Sequence, residues 1–170
     1  MFIDIADLAG APKAFDIEIR PEDIDLDLDN VKLLRPVHVT GEAVQESDRT
    51  DIKGSIEYDA EIDCTRCLEP VGNTANFNFE VLFVAPENFA AGSDHQVEIA
   101  DLDVDVLKEE RIDLKQIVRE QLLLNLPEQI FCKEDCKGIC PKCGADRNLI
   151  NCDCDETEID PRWAALKNLK

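Results

Sequence analysis

Apolar and polar residues alternate along most of the first hundred positions, the period expected of strands that bury one face. Ile24-Asp25-Leu26-Asp27-Leu28-Asp29 alternates strictly and predicts a half-buried strand. Calcium loops also carry an acid at every second position, but they need a turn-forming Gly and a closing Glu, and aliphatics stand in those places here. His38, Thr40 and Glu42 alternate with Val37, Val39 and Gly41, and Asp48-Arg49-Thr50-Asp51 predicts a turn. Ile56, Tyr58, Ala60, Ile62 and Cys64 fall on one face, with Glu57, Asp59, Glu61 and Asp63 on the other. A break at Pro70 to Asn73 precedes Phe77, Phe79, Val81 and Phe83, which share a face again. Pro86 to Ser93 reads as a loop. Val97 to Val106 predicts an edge strand whose acids discourage pairing with another chain.

The period changes after Arg111. Leu114, Ile117, Val118, Leu122 and Leu126 form a helical stripe, which Leu123 and Leu124 widen into a helix buried on more than one side. Asp113 with Gln116 resembles a capping box, and Pro127 ends the helix. A short last helix is predicted from Asp160 as N-cap, Pro161 at the first position, then Trp163, Ala164, Leu166 and Leu169. The fold class expected is α+β: an antiparallel meander or open barrel, then a helix, a cysteine-rich module and a C-terminal helix. The divisions expected are 1–110, 111–130, 131–156 and 157–170.

Composition narrows the function. The 170 residues are 44% hydrophobic, enough for a core, and carry a formal net charge of −20. That charge argues against broad binding to nucleic-acid phosphates and favours a basic protein partner or simple solubility. No apolar run is long enough to span a membrane. The opening MFIDIADLAG is acidic where a secretory signal would be basic, so a cytoplasmic protein is expected.

In such a reducing compartment, clustered thiols point to metal more than to disulfides. Eight Cys occur, six of them between Cys132 and Cys154. Cys140-Pro-Lys-Cys143-Gly144 has the form of a zinc knuckle, in which two thiolates share an ion and the Gly permits a left-handed turn. Cys136 and Cys154 are the expected completing ligands, with Cys132 and Cys152 as alternates, and Cys64 with Cys67 could form part of a second site. Four thiolates leave no open position, so the zinc expected is structural, in preference to an iron–sulfur cluster or free thiols.

Cys64-Thr-Arg-Cys67 also has the spacing of a dithiol redox pair, and a thiol-based redox protein is the alternative reading. The sequence after it leads back into a strand, without the helix that would lower a thiol pKa. Arg66 could hold a carbonyl or a phosphate. Arg66 is a candidate partner or RNA contact, as are Lys133, Lys137, Lys142 and Arg147 in the 131–154 module, where these four basic groups are balanced by Glu134, Asp135, Asp146 and Asp153. His38 and His95 carry no assigned role.

Three stretches together resemble the YceD-type large ribosomal RNA subunit accumulation proteins of bacteria and plastids. They are Cys64-Thr-Arg-Cys67-Leu68-Glu69-Pro70, the Ile112-Asp113-Leu114 to Leu126-Pro127 helix, and Cys136-Lys-Gly-Ile-Cys140-Pro-Lys-Cys143-Gly-Ala-Asp-Arg-Asn148, completed by Asp160-Pro161-Arg162. The cysteine-rich tail occurs in only part of that family. The resemblance implies a non-enzymatic role in large-subunit ribosomal RNA accumulation and ribosome assembly. Partners would be a ribosomal protein or pre-ribosomal RNA, with no small-molecule substrate. In many bacteria the family's gene lies beside that of a small basic large-subunit protein, which an acidic chain could hold before it meets RNA.

Overall fold

A computed structural model describes residues 1–8, 11–46, 49–86, 104–107, 109–154 and 162. Two compact units form. The first comprises Met1–Ile62 and Val71–Glu128, and the second Asp63–Pro70 and Gln129–Lys170.

The strands are β1 (Phe2–Asp4), β2 (Lys13–Ile19), β3 (Val31–Leu33), β4 (Val37–Glu46), β5 (Arg49–Asp63), β6 (Pro70–Val84), β7 (Val104–Val106) and β8 (Arg111–Asp113), followed by helix α1 (Leu114–Asn125). An open sheet runs in the order β2-β4-β5-β6-β7, and β3 pairs with the far end of β5, Val31 opposite Ile62. β1 and β8 form a separate antiparallel pair. The α+β class and the open sheet are as expected. The sheet is not wholly antiparallel, however, because the edge strand β7 runs parallel to β6.

Alternation produces the core. Val37, Val39, Ile52, Ile56, Tyr58, Ala60 and Ile62 are buried, while Glu42, Lys53 and Glu57 face solvent. Gly41 lies opposite Gly54, and a methyl group at either would strike the ring of Phe15 or Phe79. This glycine pair makes room for two aromatic rings over the centre of the sheet.

Several local expectations are corrected. Of the turn expected at Asp48 to Asp51, Arg49, Thr50 and Asp51 belong to β5, where Arg49 pairs with Glu46, and Asp48 lies outside the described residues. Pro70 to Asn73 are the start of β6, and the break lies earlier, between Cys64 and Glu69. A Pro is tolerated there because the first residue of a strand can do without its N–H.

Ile24 to Asp29 form no strand. Ile24 and Leu26 are buried as the alternation demands, but Asp27 takes φ 55° and Leu28 is 40% exposed. The segment is tied to α1 instead. The Arg119 guanidinium donates to the Asp25 carbonyl and to the Asp27 carboxylate, and Lys115 pairs with Asp23.

Helix α1 buries Leu114, Ile117, Val118 and Leu122, one stripe only; Leu124 is 75% exposed. Asp113 caps it by accepting from the Lys115 N–H, while the Gln116 amide turns forward to Glu120, so the capping box is half made. Leu126 is extended, as a residue before Pro127 must be. Among the described residues no helix is long and apolar enough to cross a membrane. Apart from Arg162, the predicted C-terminal helix lies outside the described residues, as do His95, most of the Pro86–Ser93 loop and residues 97–103 of the predicted edge strand.

Candidate metal centres

The second unit gathers all eight cysteines into two groups of four, and in each group the sulfurs lie within 4.8 Å of one another. Cys64, Cys67, Cys132 and Cys136 form one, and Cys140, Cys143, Cys152 and Cys154 the other. In the first, Sγ of Cys64 and Cys136 are 3.9 Å apart and Sγ of Cys67 and Cys132 3.5 Å. A disulfide would need about 2.05 Å. A tetrahedral ion with metal–sulfur bonds of about 2.3 Å spaces its sulfurs about 3.8 Å apart. Either group could hold one metal ion.

The first group begins in the turn between β5 and β6. There the Cys64 carbonyl accepts from the Leu68 N–H at 2.9 Å, and Leu68 takes φ 64°. The Cys140 turn repeats this arrangement, with Gly144 at φ 73° donating to the Cys140 carbonyl at 2.8 Å. The left-handed Gly expected of the knuckle is present, and the same turn recurs where the sequence supplies leucine.

Three ties bring Cys132 and Cys136 to this turn. Thr65 and Ile130 are bonded reciprocally, with N–H and Oγ1 of Thr65 donating to the Ile130 carbonyl and Oγ1 accepting from its N–H. The Arg66 guanidinium donates to the carbonyls of Glu134 and Cys136 and lies 4.2 Å over the Phe131 ring. The Arg66 carbonyl accepts from the Ile139 N–H at 2.9 Å, and a Cβ on Gly138, at φ 70°, would come within 2.8 Å of that oxygen. Gly138 is therefore glycine for two reasons, its φ and the lack of space.

Asn148, which spacing did not mark, connects this group to the chain beyond Cys143. Its amide donates to the Cys136 sulfur at 3.4 Å and to Asp146 Oδ1 at 2.8 Å, while its oxygen accepts from the Lys137 N–H at 3.0 Å. The signal lay in Asp146-Arg-Asn148, a sequence suited to an Asx turn.

The thiols divide within each group. Burial raises the Cys64 pKa, but the N–H groups of Cys132, Arg66 and Cys67 outweigh it and bring it down to about 6. The Asn148 amide lowers Cys136. Burial and the sulfurs of Cys67 and Cys136 push Cys132 up to about 12. In the other group the N–H groups of Cys143 and Lys142 bring Cys140 to about 6, while Cys143 and burial push Cys154 up to about 12. Four thiolates so close repel one another, and a bound divalent cation removes that repulsion.

The expected set of Cys136, Cys140, Cys143 and Cys154 is not gathered at one point. Cys136 lies with Cys64 and Cys67, and Cys152 completes the group of Cys140, Cys143 and Cys154. The reason is that Arg66 and Thr65 fix the 130–136 segment beside the first turn, which spacing along the tail could not reveal. No helix follows Cys67; the chain enters β6 directly, so the pair lacks the setting of a dithiol redox motif. Among the proposed contact residues, Arg66 is engaged with carbonyls and Phe131, and Arg147 Nη2 lies 3.9 Å from the Cys140 sulfur. Lys133, Lys137 and Lys142 are exposed.

Comparison with known proteins places these features in a family. Residues 52–170 match the family model described as large ribosomal RNA subunit accumulation protein YceD. The chain is 31% identical to the uncharacterised protein YlbN of Bacillus subtilis, over 82% of this chain and 77% of that protein. It is likewise 31% identical to an uncharacterised Mycobacterium tuberculosis protein, over 98% of this chain and 79% of the other. The large ribosomal RNA subunit accumulation protein YCED homolog 1 of Arabidopsis thaliana chloroplasts is 26% identical, over 79% of this chain and 49% of its own length. No solved structure matches. With the family model matched from the middle of the sheet through both cysteine groups, this chain belongs to the YceD family of large ribosomal RNA subunit accumulation proteins.

Proposed function

We propose that this chain is a non-enzymatic, cytoplasmic factor that supports accumulation of large-subunit ribosomal RNA during ribosome assembly, by holding a basic ribosomal protein or pre-ribosomal RNA. Family membership supports the first part. The observation that carries the choice of partner is the solvent face of the sheet. There Glu18, His38 and Glu57 lie in register across β2, β4 and β5, with Asp16 one strand-step away. Such a face attracts a lysine- and arginine-rich protein and repels bare phosphate, so the basic protein is the favoured partner of the two.

The cysteine groups fit a supporting role. Each group offers four sulfurs to one ion, the donor set and number of a closed structural zinc site with no position left for substrate. Zinc would hold the second unit together through ligands up to 72 residues apart in the chain.

Cells lacking the protein test this reading. The expected result is a fall in large-subunit relative to small-subunit ribosomal RNA, restored by the wild-type chain and not by Glu18→Lys/Glu57→Lys. An unchanged ratio overturns the role. Full rescue by the charge-reversed variant overturns the acidic face as the docking surface.

A further inference from the structure

The two cysteine groups differ in how open they are. In the first, Cys64, Cys67 and Cys136 are buried and Cys132 is half-buried. It joins chain segments 65 and 72 residues apart, with the Thr65–Ile130 and Arg66 bonds closing around it. In the second, only Cys140 is buried; Cys152 and Cys154 are half-buried and Cys143 is exposed. All four come from the single stretch 140–154.

A zinc-bound thiolate remains a nucleophile, and whether an oxidant consumes it depends on access. Cys143 gives that access, and three further sulfurs stand within 4.8 Å of it to resolve the product.

We propose that the Cys140, Cys143, Cys152 and Cys154 site is an oxidant-responsive zinc site, whereas the Cys64, Cys67, Cys132 and Cys136 site is a permanent one. The proposal rests on the zinc reading given above. The oxidant is a peroxide. The Cys143 thiolate attacks a peroxide oxygen, the O–O bond breaks, and the departing hydroxide takes a proton to become water, leaving a sulfenic acid. A neighbouring thiolate of the same site attacks that sulfur, an S–S bond forms, the S–O bond breaks, and a second water leaves after protonation. Two electrons pass from two sulfurs to the peroxide. The two remaining thiolates take up protons, and the zinc ion, left without its tetrahedron, is released.

Full-length protein purified reduced tests this with hydrogen peroxide, a chromogenic zinc indicator, and mass mapping of disulfides after alkylation. The expected result is one of two zinc ions released in a first phase, with a disulfide that includes Cys143 confined to residues 140–154. The second ion stays, and reductant with added zinc restores the first. Release of both ions together, or a first disulfide among Cys64, Cys67, Cys132 and Cys136, overturns the proposal. So does retention of both ions under peroxide. A starting protein without zinc overturns the zinc reading itself, and this proposal with it.

Discussion

Leu68 and Gly144 occupy the same place in two copies of one turn: each follows the second cysteine of a Cys-x-x-Cys pair, at φ 64° and φ 73°, and donates its N–H to the carbonyl of the first. Glycine takes this conformation freely, whereas a side chain at Cβ crowds the following carbonyl at a cost of about 1–2 kcal/mol. The Leu68 side chain is 59% exposed and regains little of that by burial. Leu68→Gly is therefore expected to stabilise the protein by about 1 kcal/mol and Gly144→Ala to destabilise it by a similar amount, measured by denaturant unfolding of the zinc-loaded chain. Destabilisation by Leu68→Gly would mean that the leucine makes an apolar contact worth more than its strain.

Arg66 connects the first turn to the segment that carries Cys132 and Cys136, through two carbonyls and the face of Phe131. Arg66→Ala should lower stability by about 1–2 kcal/mol. Arg66→Lys should recover only part of it, because both carbonyl bonds come from Nη1 while the guanidinium plane also stacks on Phe131, a contact that a compact, strongly hydrated ammonium makes less well. Thermal unfolding of the three proteins at equal zinc content checks the order wild type, then lysine, then alanine. Equal midpoints with weakened RNA binding would instead make Arg66 a contact residue.

The sequence was legible wherever one face of a strand met the core. Ile56 to Ile62 alternates and is a strand; Ile24 to Asp29 alternates as strictly and is not. Alternation reports which side chains are buried, and Ile24 and Leu26 are. It does not report what the backbone bonds to, and there the Asp25 carbonyl is taken by Arg119 from a helix 94 residues on. The cysteines show the same division. Spacing identified Cys140 with Cys143 and the left-handed Gly144, because that turn is local. How pairs combine into fours depends on Thr65 meeting Ile130 across 65 residues, which no local spacing encodes.

His38 gives the acidic face a pH dependence. Its Nε2 lies 2.8 Å from Asp16 Oδ1, and that hydrogen bond, with the charges of Asp16, Glu18 and Glu57, raises its pKa above the ordinary 6.5. A raised pKa in the folded state stabilises fully below the unfolded value and fades as the pH climbs through the folded one. Asp16→Asn should move the His38 ring titration, followed by proton NMR, down toward 6.5 and shrink the stability gained on acidification through that window. A titration unmoved by Asp16→Asn would contradict the pairing.

Asp113 is the side chain that starts helix α1, accepting from the Lys115 N–H at 3.0 Å. Asp113→Ala should cost about 1 kcal/mol by loss of this cap. Chemical denaturation followed by circular dichroism would register it, and a neutral substitution would show that the β1–β8 pairing alone fixes the helix start.

The separation of Cys136 from Cys140 into different sites is tested most directly by zinc content per chain. It is measured by elemental analysis on protein purified reduced, for the wild type, Cys136→Ser, Cys140→Ser and the double variant. Two groups of four predict two ions in the wild type, one in each single variant and none in the double. One ion in the wild type, lost in either single variant, would place Cys136 and Cys140 on the same metal and contradict the two-site account.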